Sequence, residues 1–157
     1  MMNKVLCSLL LFLSISCGLQ GRNANYARDS KRIWLDSKEI HHGEYVWKMK
    51  KAGDVISSAE KVSTLGYDTS DWLSAIVPGT VLNSLVYNKE YPEPYYGVNN
   101  KLESGKIPDI SKVGREFYTY WFRTEFDVPE SFAGKTIWLQ PDGVNYRAEI
   151  WVNGNLL

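Results

Sequence analysis

Between Tyr91 and Asn100 the chain reads Tyr-Pro-Glu-Pro-Tyr-Tyr-Gly-Val-Asn-Asn, which sets two adjacent phenols, Tyr95 and Tyr96, close to two adjacent carboxamides, Asn99 and Asn100. An aromatic ring offers a flat face to a weakly apolar C–H surface, and a carboxamide both donates and accepts. Together they suit a hydroxyl-rich ligand such as a sugar. Pro92 and Pro94 stiffen the stretch, which lowers the entropy lost on binding. Asn145, Tyr146 and Arg147 follow the Asp142-Gly143 turn and offer a similar set. Each group also has a plainer reading: tyrosines that fill a domain interface, an asparagine that satisfies turn backbone, an arginine that solvates a strand face.

Nothing comparable marks a reaction centre, so no catalytic residue, metal or cofactor is expected. Asp68, Asp71, Glu90 and Glu93 are scattered over turns and form no acid/base pair. His41 and His42 are adjacent, a spacing that closes a tetrahedral metal site poorly, and no third ligand accompanies them. No glycine-rich phosphate loop links a strand to a helix. The 18 Lys+Arg balance 18 Asp+Glu, which argues against nucleic acid and gives an anionic membrane surface nothing to attract. At 157 residues the chain can build one domain with a core, but not a (β/α)8 barrel, which takes roughly 200 residues or more.

The elements that must position these residues are mainly strands. Tyr118 to Val128 alternates, with Tyr118, Tyr120, Phe122, Phe126 and Val128 on one face and Arg123, Glu125 and Asp127 on the other, so a long strand with one buried face is expected. Pro129 ends it. Lys135–Gln140 and Tyr146–Asn153 read as further strands, and Tyr45–Met49 and Trp72–Val77 as shorter ones. Thr80 is placed to cap a short helix carrying Leu82, Leu85 and Val86. Glu90 to Gly114 is punctuated by proline and glycine and reads as a long loop. Asn153-Gly154 is a two-residue hairpin turn, yet its return strand would have only Asn155 to Leu157, so the domain is expected to be incomplete at its C-terminus. Outward-facing Trp121, Trp138 and Trp151 could make a sugar platform, although packing in a core or between domains is the stronger reading.

The N-terminus reads differently. Lys4 precedes an apolar run from Val5 to Ile15, too short to span a bilayer, so residues 1–17 are expected to be an export signal. Leu13 to Gly18 resembles the lipobox of bacterial lipoproteins, which makes Cys17 a lipidation candidate and a lipid anchor the sole expected membrane contact. Residues 18–32 are polar and unpatterned, a flexible leader before a domain at 33–157. The product is expected in the periplasm or lipid-anchored at a bacterial membrane or cell surface.

Four strings carry a family resemblance: Val77-Pro78-Gly79-Thr80-Val81-Leu82, Pro94 to Asn100, Tyr120 to Pro129, and Gly143 to Gly154. In this order they resemble the N-terminal sugar-binding domain of glycoside hydrolase family 2, closest to the exo-β-glucosaminidase and β-mannosidase branch, with β-galactosidases and β-glucuronidases more distant. The likeness runs from about Trp72 to Gly154, roughly half of the chain. It implies an all-β, galactose-binding-like jelly-roll sandwich. It also implies a parent enzyme whose downstream barrel carries two catalytic glutamates in a retaining mechanism. The partners it implies are a β-linked oligosaccharide or polysaccharide and those missing downstream domains. It places the loop at 91–100 toward the active-site mouth, and a polar residue near Asn145 against the terminal sugar. A stand-alone carbohydrate-binding lipoprotein and a non-sugar β-sandwich interaction module are the alternatives.

Overall fold

The computed structural model describes residues 3–12 and 32–157. Cys17 and residues 18–31 of the expected leader lie outside the described residues. The strands in chain order are β1 (Asn3–Phe12), β2 (Trp47–Lys51), β3 (Leu73–Ser74), β4 (Thr119–Val128), β5 (Arg147–Val152) and β6 (Asn155–Leu156). Three short helices, α1 (Ala59–Val62), α2 (Val81–Tyr87) and α3 (Ile110–Val113), sit in the connections. The strands form one sheet in the order β3-β2-β4-β1-β5-β6, with every neighbouring pair antiparallel. The all-β class expected from the sequence is the class observed. Among the described residues no helix is long and apolar enough to cross a membrane.

β4 organises the core. Met49 of β2 stands opposite Phe122, and Trp47 opposite Thr124. One face gathers Trp47, Met49, Tyr118, Tyr120 and Phe122 with Ala75 and with Val81 and Leu85 of α2. Thr124, the polar interruption in the apolar alternation, is buried and donates its hydroxyl to the Val46 carbonyl at 2.9 Å.

The other face departs from expectation. The charged side of β4 is expected to face solvent, but Arg123 is buried; Trp121 beside it is buried too, in line with the packing reading of the tryptophans. Trp121 joins Val62 and Trp72 in a second core, with Tyr67 and Trp151 packed against it. The Arg123 guanidinium donates from Nε to the Val62 carbonyl at 3.0 Å and from Nη2 to the Thr64 carbonyl at 2.8 Å. It also pairs with Glu125 at 2.5 Å, and the same Glu125 oxygen accepts the Gly66 amide at 2.8 Å. A buried charge persists only when its donors are used. Here they tie the segment after α1 down onto the sheet.

The motif around Val77 welds the first half of the domain together. The Ser37 amide donates to the Val77 carbonyl at 2.7 Å, and the Ser37 hydroxyl accepts the Val77 amide at 3.1 Å. The Thr80 hydroxyl accepts the Asn83 amide at 3.0 Å, capping α2 as its position suggested. Close by, Gly43 passes so near the 37–38 backbone that a Cβ there would stand 1.3 Å from the Ser37 carbonyl oxygen, so no other residue fits without moving the chain.

Two strand expectations change. Lys135–Gln140 forms no strand, and Ile137, Trp138 and Leu139 are exposed. Its alternation is real, but a strand also needs a partner edge, and none of the described ladders includes this segment. Trp138 therefore stands in solvent, whereas Trp121 and Trp151 pack into the second core. Trp72–Val77 contributes only the two residues of β3 to the sheet. The turn at Asn153-Gly154 does form, with φ of 49° and 86°, and the short return strand pairs Trp151 with Leu156 and Val152 with Asn155.

Candidate functional site

Register decides where the expected ligand-facing residues lie. Thr119, the first residue of β4, and Arg147, the first of β5, both stand opposite Phe12 of β1. The two strands thus start at the same end of the sheet. Asn145, Tyr146 and Arg147 stand at that end because they lead into β5. Tyr91, where the 91–100 loop begins, packs against the core cluster that holds Tyr118 and Tyr120, at the start of β4. The beginning of the loop at Tyr91 and the lead-in to β5 thus lie toward the same end of the sheet.

Within the loop the candidates divide. Asn99 is buried and its groups serve the loop itself. Its side-chain amide donates to the Glu93 carbonyl at 2.9 Å, its Oδ1 accepts from Lys106 Nζ at 2.9 Å, and its backbone carbonyl accepts the Ser104 hydroxyl at 3.1 Å. The Tyr96 amide donates to the Glu93 carbonyl and the Asn99 amide to the Tyr96 carbonyl, each at 3.2 Å. The Tyr95 amide donates to Glu93 Oε1 at 3.3 Å. These bonds hold a tight turn whose outer surface is Tyr95 and Tyr96, both 77% exposed, with exposed Asn100 beside them. Asn99 braces this turn, and Tyr95, Tyr96 and Asn100 present themselves on it.

At the start of β5, Tyr146 takes a φ of 85° and is 71% exposed. That left-handed backbone is uncommon for an aromatic residue. It also explains why β5 begins at Arg147 and not at Tyr146. Arg147 is exposed and lies 3.7 Å from Glu149, two residues on along the same face.

The phenols beneath the loop share one electrostatic setting. Burial pushes the Tyr120 phenol up to about 12, and negative charge on Tyr91, Asp54, Tyr118 and Glu90 would add to the effect. Burial also raises Tyr118, with Tyr91 adding, and raises Tyr91, with Glu90 adding. In the unfolded chain a tyrosine ionises near pH 10. The stabilisation from keeping these phenols protonated is therefore complete below pH 10 and is lost as pH rises toward 12. Alkaline titration followed by circular dichroism and phenolate absorbance should show unfolding and ionisation together in that window. Tyr120→Phe should move the midpoint to higher pH. Phenols that ionise smoothly near pH 10 in a chain that stays folded would contradict this.

Sequence reasoning passed over a concavity elsewhere in the domain. Ser57, Lys61, Thr64, Leu65, Gly66, Tyr67 and Asp68 line a cleft of about 460 Å³. A smaller one of about 210 Å³ adjoins it through Ser57, Tyr67 and Asp68 and reaches Lys50, Asp54, Asp71 and Trp72. Asp68 and Asp71 looked scattered in the sequence, yet here they share a wall. The Lys50 ammonium meets Asp71 at 2.5 Å, which raises the lysine above its ordinary value. Asp68 accepts the Ser70 amide at 2.9 Å, which lowers its carboxyl. Both carboxylates thus have local partners. The rings of His41 and His42 meet edge to face at 4.8 Å, and among the described residues no group of three or more His, Cys, Asp or Glu could hold a metal.

Comparison with known proteins fits this fold. The family described as "Glycosyl hydrolase 2 galactose-binding domain-like" matches residues 47–157. The chain is 41% identical over 87 residues to a mannosylglycoprotein endo-beta-mannosidase of Lilium longiflorum, covering 55% of this chain and 9% of that protein. It is 30% identical over 109 residues to an exo-beta-D-glucosaminidase of Streptomyces avermitilis, covering 69% and 11%. It is 29% identical over 117 residues to a beta-galactosidase of Arthrobacter sp. (strain B7), covering 66% and 10%. The chain thus spans 9–11% of the length of these three relatives. No solved structure matches it significantly. With the match reaching from β2 to the last residue, the chain belongs to the galactose-binding domain-like family of glycosyl hydrolase 2.

Proposed function

We propose that this chain is the N-terminal carbohydrate-binding domain of an exported β-glycosidase, and that the Tyr95, Tyr96, Asn100 turn and the Asn145 to Arg147 segment border the pocket for a β-linked sugar. The observation that carries the reading is the exposure of three tyrosines, Tyr95 and Tyr96 on the braced turn and Tyr146 at the lead-in to β5. An exposed ring on a braced turn costs stability nothing to present and gains only when a partner covers it. Hydrolysis in the parent would need two carboxylates flanking the scissile bond. On this reading they stand in the downstream barrel, and this domain shapes the pocket and selects the sugar. A mannoside, glucosaminide or galactoside is the substrate class, following the three relatives.

Affinity electrophoresis through gels containing mannan, chitosan oligomers or galactan tests the binding. Retardation on at least one glycan is expected. Tyr95→Ala combined with Tyr96→Ala should weaken it about fivefold or more, the equivalent of ~1 kcal/mol for lost stacking. Nitrophenyl β-glycosides should not be turned over by the purified chain. Unretarded migration of folded protein on every glycan, or measurable hydrolysis by a clean preparation, would sink the reading.

A further inference from the structure

β1 holds a position that no other described element could take over without rearranging the sheet. It lies between β4 and β5, pairing with β4 over ten positions, Asn3↔Val128 to Phe12↔Thr119, and with β5 over six, Cys7↔Val152 to Phe12↔Arg147. β4 and β5 both run antiparallel to it and hence parallel to each other. Strands neighbour at 4.7–4.9 Å, so two strands flanking a third stand about 10 Å apart, the width of one strand. The edges of β4 and β5 therefore cannot bond to each other where they stand.

The register runs unbroken along all ten residues of β1. Lys4 stands opposite Asp127, Val5 opposite Phe126, Leu9 opposite both Phe122 and Ile150, and Leu11 opposite both Tyr120 and Ala148. Yet these ten residues fall in the segment expected to serve as an export signal. A central strand has its backbone groups engaged on both sides, whereas a signal must be available to the export machinery. One segment cannot do both at once.

We propose that the interval between β4 and β5 is a strand-acceptor site whose occupant is the chain's own Asn3–Phe12. Folding around this strand withholds it from the export machinery, and its departure leaves two facing edges open to strand addition. The fold thereby orders events: export of the leader must precede closure of the sheet.

Disulfide trapping in the full chain tests the occupancy. With Cys17→Ser and Val152→Cys, oxidation under native conditions should join Cys7 to position 152, because an antiparallel pair has the Cα separation a disulfide accepts. Lys48→Cys with Ser74→Cys, in a chain with Cys7→Ser and Cys17→Ser, reports on a described ladder elsewhere in the sheet. Crosslinking of the control without crosslinking of Cys7 would overturn the proposal and give the slot to another strand. Leu9→Pro supplies an independent reading. Every amide of a central strand faces one neighbour or the other, so a proline there removes a ladder bond wherever it falls. Hydrogen exchange in Arg147–Val152 should then rise about tenfold or more, while that of Trp47–Lys51 changes far less. Unchanged protection of β5 would equally overturn the proposal.

Discussion

Arg123→Ala should destabilise the domain by about 3–5 kcal/mol in urea titrations followed by tryptophan fluorescence, a large effect for a residue whose place in the alternation suggests solvent. The Val62 and Thr64 carbonyls would each lose a charged donor, and the Glu125 carboxylate its cation. Removing a charged partner from a buried acceptor costs more than the bond's net worth, because the acceptor stays desolvated. The Tyr67 ring, 5.8 Å from the guanidinium, would lose its cation as well. Arg123→Lys should recover only part of the loss, since one ammonium cannot reproduce a planar fork that reaches two carbonyls and a carboxylate. A loss below ~1 kcal/mol for the alanine variant would mean that the segment after α1 does not depend on this contact.

Phe122→Ala should cost a similar amount, about 3–5 kcal/mol, by a different route. Phe122 is 2% exposed and stands opposite Met49, which is fully buried, in the centre of the larger core. Truncation removes apolar burial and leaves a cavity on the face of β2 and β4 against which α2 packs. Phe122→Leu should lose less than half as much, because most of the volume remains. The two variants also separate the faces of β4: the phenylalanine probes the α2 side, the arginine the α1 side. Equal costs for Phe122→Leu and Phe122→Ala would show that ring shape, not volume, governs the site.

Local chemistry made several features legible without coordinates. The Thr80 cap with its short helix, the Asn153-Gly154 turn and the long strand ending before Pro129 all depend on residues close in sequence, and each appears where the pattern puts it. Features that depend on distant chain were not legible. Nothing near Arg123 announces that the carbonyls of Val62 and Thr64 will arrive to cover it, so its face reads as solvated. Lys135–Gln140 carries a strand's alternation, but whether it finds an edge is a property of the whole sheet. The Tyr91 to Asn100 loop shows the same division. Its composition marks ligand chemistry, while the inward turn of Asn99 toward Glu93 and Lys106 follows from the loop's own hydrogen bonds. The clefts around Tyr67 depend on Lys50 and Asp71 meeting from β2 and from the turn before β3.

On the proposed function, a sugar-contacting surface is formed by the 91–100 turn and the lead-in to β5. Titrating isotope-labelled protein with β-1,4-linked manno-oligosaccharides and chito-oligosaccharides, and following amide shifts residue by residue, tests this most directly. The expected shifts fall in 91–100 and 145–147, with the Tyr67 clefts undisturbed. Shifts confined to those clefts, or none with either sugar in a folded sample, would contradict it.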